Sequence, residues 1–265
     1  MPTAGGAINK FRVLEDFSHG GSPYHRLNPL IKLLITLFYT GVVTSFDKYD
    51  LTGIFPMLLY PFALFLVTGF PFGFFAKRVL AAQSFAVMVG VWYPLFDSRA
   101  MTAVGGLRIS SGWVAFLCLL LKSAAVVTAA LLLIASTGMD NICAALRALY
   151  LPRVFVLQLL LTYRYISVLL QEAGRIQLAY SLKAPGRKGV HMREWGPLAG
   201  QVLLRAFDKA GRVYEAMRLR GFHGEYITGK AEKARPAEIA CLVLCISAFL
   251  FARLVNLPEL LGGLV

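Results

Sequence analysis

Acidic side chains are scarce in this 265-residue chain: 14 Asp and Glu stand against 27 Lys and Arg, a formal net charge of +13. Charge of either sign is thin, at 15% of residues where soluble domains carry about 25%. With 57% hydrophobic residues and a mean hydropathy of +0.64, a soluble globular protein is excluded and an integral membrane protein is indicated. Cysteine is equally sparse. Cys118, Cys143, Cys241 and Cys245 lie in apolar or membrane-adjacent sequence; Cys241 and Cys245 share a helix face, but two thiols without nearby His or carboxylate make a poor metal site, so all four read as small apolar fillers. Of the histidines, His19 and His25 lie in the N-terminal arm six residues apart without a ligand cluster, and they, like His191 and His223, read as ordinary polar groups. There is no Gly-rich phosphate loop, no His-Glu-x-x-His and no Ser, His and Asp set placed by motif, so no enzyme activity and no bound cofactor are expected. Residues 1–29 are polar, with Gly and Pro interspersed, and do not read as a cleaved signal peptide.

What is present is a series of apolar blocks. They predict an all-α membrane protein with about five spans, at 30–46, 51–68, 79–96, 112–135 and 239–255. Asn28-Pro29 suits a capped helix start, and Lys32 is near enough to the end of the first span to snorkel. Pro56 and Pro61 should kink the second span. A stretch over 69–75 rich in Phe, Pro and Gly leads to Lys77-Arg78, and an outside loop is expected over 97–111. Four domains follow: a cytoplasmic arm at 1–29, four transmembrane helices within 30–137, a cytoplasmic domain at 138–235, and a last span with its tail at 236–265.

Cations set the orientation. Residues 138–235 carry 16 Lys and Arg against 7 Asp and Glu, and such a basic segment belongs on the cytoplasmic side. Four spans before it put the N-terminus inside. A short helix over 139–149, with Asp140 early and Arg147 late, suits the helix dipole. Two long helices follow, over 153–182 and 194–220, the first lying partly in the membrane interface. The second pairs Asp208 with Arg212 and Glu215 with Arg218, and has one apolar face through Val202, Leu203, Ala206, Ala210, Val213 and Met217. Each long helix ends in cations beside a glycine. Lys183-Ala184-Pro185-Gly186-Arg187 closes the first, and Arg218-Leu219-Arg220-Gly221 the second. Two such tips form a platform for a partner with two equivalent sites.

Lys122 is a charge near the middle of the fourth span. Such charges are costly and either serve an ion path or pair with a buried polar group; the absence of an acid at the centre of any span favours a structural pair with a backbone carbonyl or other buried group. The basic segment lacks a nucleic-acid-binding fold, so anionic membrane lipid is its expected secondary partner and nucleic acid is not.

Ser22-Pro23-Tyr24-His25-Arg26-Leu27-Asn28-Pro29-Leu30-Ile31-Lys32 resembles the N-terminal signature of the transmembrane T component of energy-coupling factor transporters. Ala216-Met217-Arg218-Leu219-Arg220-Gly221-Phe222 looks like the second Arg-containing coupling motif of that family. The order of spans and long helices is also similar, so the resemblance covers nearly the whole chain and is greatest to the cobalt-type, CbiQ-like branch. It implies a multi-pass subunit of the plasma (inner) membrane that is not itself an enzyme. Its cytoplasmic helices would dock on two ATP-binding cassette subunits, which hold ATP and Mg, while another surface holds a small membrane protein that captures substrate. It implies docking through Arg218, Leu219, Arg220 and Gly221 at one tip and Lys183, Pro185, Gly186 and Arg187 at the other. The first motif departs from the family's Arg-x-Arg-Gly: Lys183 keeps one cation, Pro185 stands where Arg is expected, and Arg187 or Lys188 is the substitute. The two tips should therefore contribute unequally.

The implied role is coupling ATP hydrolysis to import of cobalt or another divalent transition metal. Alternatives are a T component serving a vitamin or other micronutrient, a secondary transporter using Lys122, and a membrane-bound enzyme or scaffold. The last two lack inverted repeats and a polar catalytic cluster respectively.

Overall fold

The computed structural model describes residues 24–25, 27–96, 100–104, 107–183, 191–224 and 235–254. These fall into two compact units, one running to Thr137 and resuming at 235–254, the other covering 138–224.

In the first unit, α1 (Pro29–Ser45) starts where Asn28 Oδ1 accepts from the Leu30 amide at 3.0 Å, with Pro29 in the first turn. The span expected over 51–68 is two helices, α2 (Leu51–Met57) and α3 (Leu59–Thr68), divided at Leu58. Pro61 has no N–H to offer the carbonyl four residues back, that of Met57. Tyr39 Oη donates to it instead, at 2.9 Å.

The third span also differs from expectation. Pro71 supplies an extended residue at the helix start, so α4 (Phe72–Gly90) begins before the span expected from Val79. Lys77 and Arg78 thus lie inside a helix. Val91 separates α4 from the short α5 (Trp92–Phe96). The expected outside loop contains an antiparallel hairpin, β1 (Ala100–Val104) with β2 (Leu107–Ser110).

The long α6 (Ser111–Thr137) is the centre of this unit and packs against α1, α2, α3, α4 and α5. Its buried face is mostly small: Ala115, Cys118, Ala125, Ala129 and Ala135. Small residues let helix backbones approach closely where lipid supplies no hydrophobic drive for association. Gly90 of α4 follows the same logic, since a Cβ there would meet Phe116 at 2.6 Å.

The second unit contains α7 (Met139–Ala148), α8 (Arg153–Lys183) and, after a 3₁₀ turn at Met192–Glu194, α9 (Trp195–Leu219). Cys143, Val156 and Leu160 join α7 to α8. Burial pushes the Cys143 thiol up, with Asp140 adding to the shift, which leaves it a packing group at neutral pH.

The chain returns to the first unit as α10 (Pro236–Leu254), which packs on α1 and α2. Glu238 joins two helix starts: one carboxylate oxygen accepts from the Asn28 amide at 3.1 Å, the other from the Arg235 amide at 2.8 Å. At the far ends, Arg253 donates to the Ser45 carbonyl at 3.1 Å and lies 4.5 Å from the Phe46 ring centroid. Therefore α1 and α10 run parallel.

Three described helices, α6, α8 and α10, have the length and composition to cross a membrane, and 29–45 and 53–68 are shorter apolar stretches. Large apolar side chains face outward along the first unit, among them Phe55, Phe62, Leu66 and Leu80 around an apolar groove of about 1730 Å³. Such outward greasy surface is the opposite of a soluble protein's and is what lipid chains cover. The chain is a helical membrane protein.

Candidate functional site

The basic helix ends lie in the second unit. α8 and α9 meet where Glu172 of α8 hydrogen-bonds and ion-pairs Arg205 of α9, while Arg175 contacts the same carboxylate at 3.5 Å. The meeting point falls within each helix and not at its end. Eleven further residues of α8 and fourteen of α9 extend beyond it by about 16 Å and 21 Å at 1.5 Å per residue.

Glu172 is the one acidic residue of α8 and draws a cation from 33 positions away. The helix-surface pairs expected within α9 do not form: no ion pair joins Asp208 to Arg212 or Glu215 to Arg218. Exposed i,i+4 pairs contribute only a few tenths of a kcal/mol, too little to hold two long side chains against water. Of the apolar face expected on α9, Val202, Ala206, Val213 and Met217 are half-buried, whereas Leu203 and Ala210 are exposed.

The α9 tip is built by its backbone. Gly221 adopts φ +80°, its amide donates to the Arg218 carbonyl at 3.0 Å, and the Phe222 amide donates to the Met217 carbonyl at 3.0 Å. These two bonds make a Schellman ending, which uses carbonyls that a helix end otherwise leaves open. Met217 and Phe222, at the positions where that motif places its apolar contact, are the half-buried residues of the tip. Arg218 and Arg220 are exposed, and Leu219 between them is 90% exposed. A rigid turn thus holds out two guanidinium groups around a bare leucine. Such groups make bidentate bonds to carboxylates and carbonyls of a partner.

Gly221→Ala isolates the turn, because a Cβ at this glycine would meet nothing within 4 Å. Only the left-handed φ penalises alanine, by about 1 kcal/mol. Hydrogen exchange of the Gly221 and Phe222 amides is expected to speed up about fivefold, with the amides before residue 212 unchanged.

At the other tip, Lys183 is the last residue of α8 and is exposed. Pro185, Gly186, Arg187 and Lys188 lie outside the described residues. Lys122 belongs to the first unit. Its ammonium donates to the carbonyls of Phe46 and Asp47 at 2.5 and 3.2 Å. Among the described residues no three His, Cys, Asp or Glu side chains come together.

Sequence reading missed one residue in particular. Lys32 does not snorkel: it is 1% exposed, and its ammonium donates to the carbonyls of His25 and Ser136 at 3.2 and 3.3 Å, 5.2 Å from the centre of the Tyr24 ring. Ser136 is in the last turn of α6, where unsatisfied carbonyls and the dipole favour a cation. Lys32 therefore ties the start of α1 to the end of α6, and these helices run antiparallel. The charge near a span end was visible in the sequence; its acceptor, 104 residues away, was not.

Comparison with known proteins agrees with the helical membrane architecture. Residues 20–229 match the family described as CbiQ, cobalt transport protein. A nickel permease, LarQ of Lactiplantibacillus plantarum, is 28% identical over 92 residues, which is 35% of this chain and 34% of that protein. The match thus spans about a third of the length of that relative. On the family match, which takes in the tips of α8 and α9 and most of the bundle, the chain belongs to the CbiQ cobalt transport protein family.

Proposed function

We propose that the protein is the non-catalytic transmembrane coupling subunit of an energy-coupling factor importer, carrying ATPase motion to a separate membrane subunit that captures cobalt or another divalent transition metal. Family membership supports the transport role. The name of the nickel permease relative supports a transition metal as cargo.

The observation that carries the coupling reading is where the chain leaves and rejoins its bundle. Ser136 is tied to Lys32 near the start of α1, and Arg235 is tied through Glu238 to Asn28 at that same start. The intervening segment therefore returns to the end of the bundle that it left, and crosses the membrane an even number of times or not at all. Within it, α8 is the one described helix apolar and long enough to cross, and a single crossing would finish on the wrong side. On this reading α8 stays on one side despite its apolar first half, and the positive-inside rule makes that side cytoplasmic for residues 138–235, bearing 16 Lys and Arg, and for the N-terminus.

Two braced helices with exposed basic ends suit a partner with two equivalent sites: a pair of ATP-binding cassette subunits, holding ATP and Mg, receives Arg218 and Arg220 at one groove and Lys183 with the following basic residues at the other. The basic surface faces anionic membrane lipid as a secondary partner. An affinity-tagged chain, expressed with ATP-binding cassette subunits and a substrate-capture membrane subunit, is expected to retain both ATP-binding subunits through detergent purification. Recovery of the chain alone, with the same subunits present and folded in the extract, would contradict the proposal.

A further inference from the structure

Another polar feature of the membrane unit lies at the end of the bundle opposite Asn28. Lys122 uses two of the three donors of its ammonium on the Phe46 and Asp47 carbonyls, and no carboxylate among the described residues forms an ion pair with it. Beside it opens a pocket of about 380 Å³, lined by Thr44, Lys48, Tyr93, Lys122 and Ser123 and continued by apolar groups such as Val126. No Asp or Glu lines this pocket. Thr44 and Ser123 donate their hydroxyl protons to neighbours, Thr44 to Thr40 and Gly41, Ser123 to Gln83 and Leu120. The third N–H of Lys122 and the Tyr93 hydroxyl have no acceptor among the described residues, and Lys48, which already has neighbours including the Tyr49 ring centroid at 4.6 Å, adds a second positive charge at the exposed rim.

Asp50 does not line the pocket but lies close enough to act on the lining Cys118; two cations and a phenol in the lining outnumber this one neighbouring carboxylate and select an oxyanion. The pocket's depth narrows the source. It sits level with the end of α1, where that helix gives way to the Phe46-Asp47 turn, and part of its wall is apolar. A free inorganic anion gains nothing from such a wall, whereas a phospholipid can lay the start of an acyl chain along it.

We propose that this pocket holds the phosphate of an anionic phospholipid from the leaflet opposite the Asn28–Glu238 end. Lys122 and Lys48 neutralise the phosphate and Tyr93 donates to it. Lys122 is then neither an orphan charge nor an ion-path residue: it is a lipid ligand whose remaining donors clamp the turn after α1. The proposal does not depend on the coupling role or on which way the bundle faces.

The full chain purified in a neutral detergent tests this, with retained lipid counted by native mass spectrometry and the thermal midpoint followed during titration. Phosphatidylglycerol is expected to bind and raise the midpoint, and phosphatidylcholine, whose choline cation offsets its phosphate, to do so much less. Inorganic phosphate should leave the midpoint unmoved. Lys48→Gln and Lys122→Met should each weaken phosphatidylglycerol about fivefold, with Lys122→Arg near the native value. Equal binding of the two lipids, or native affinity in Lys48→Gln, overturns the proposal; this exposed substitution decides the matter if Lys122→Met fails to fold. A midpoint shift reproduced by inorganic phosphate alone overturns the lipid as the source.

Discussion

Reversing the charge of Arg220 is expected to strip the ATP-binding subunits from the protein, whereas the same reversal at Lys183 weakens them only in part. Arg220 closes a helix whose last carbonyls are already engaged by the Gly221 and Phe222 amides, so its guanidinium is presented by a fixed turn beside Leu219 and Arg218. Rigid arginine anchors flanking an exposed apolar residue have the composition of an interface hot spot, where truncation costs 2 kcal/mol or more. Replacing the cation by a carboxylate adds repulsion against the partner's acceptors. The expected loss for Arg220→Glu is at least about thirtyfold in affinity.

Lys183 presents a single point charge that cannot make a bidentate pair. The tip that it opens has Pro185 where the resembled motif has Arg, so Lys183→Glu should cost about fivefold or less. Quantitative pull-down of the ATP-binding subunits across a salt series measures both. Equal losses would remove the asymmetry; no loss from Arg220→Glu would remove the docking role of the α9 tip altogether.

The second large effect concerns stability. Lys32→Ala removes two hydrogen bonds from a charged donor, each worth about 1.5–3 kcal/mol, and leaves a cavity where the four-carbon stem lay. Relief from burying an ammonium offsets part of this loss. A net cost of about 3 kcal/mol is expected, which lowers the melting midpoint by roughly 6–12 °C for a chain of this size. Lys32→Met keeps the stem and forfeits the ammonium, so it isolates the part contributed by the Ser136 and His25 carbonyls. It should fall about midway between native and Lys32→Ala. A Lys32→Met protein as stable as the native one would mean that the link between α1 and α6 rests on packing alone.

These two sites differ in how far they can be read from the chain alone. The α9 tip is a local structure: an Arg-Leu-Arg run, a glycine for the left-handed turn and the apolar spacing before it lie within a few residues, where helix rules operate. The Asn28 cap and the long α6, α8 and α9 were legible for the same reason. Lys32 and Glu238 were not, because their partners are fixed by which helices come together. Lys32 reaches Ser136 across 104 positions and Glu238 reaches Asn28 across 210.

The displaced start of α4 has another cause. Four phenylalanines, two glycines and a proline over 69–75 resemble a loop in composition, yet Pro71 is an efficient helix start and one glycine inside a helix is tolerated. Likewise α9 carries acids three and four places before Arg218 and Arg212 that form no ion pair with them, while its Arg205, with no acid at that spacing before it, is paired by Glu172 of the neighbouring helix. Spacing identifies who can meet along one helix. A second helix supplies partners that spacing along one helix does not show.

The most direct measurement is metal uptake by proteoliposomes that contain the ATP-binding subunits, the capture subunit and either the native chain or the Arg218→Glu/Arg220→Glu double variant. If this protein couples hydrolysis to transport, cobalt or nickel accumulates only with ATP and the native chain, while the double variant loses uptake and its ATP-binding subunits still hydrolyse ATP on their own. Uptake by the native chain without ATP or ATP-binding subunits, or undiminished uptake by the double variant, would contradict the coupling role.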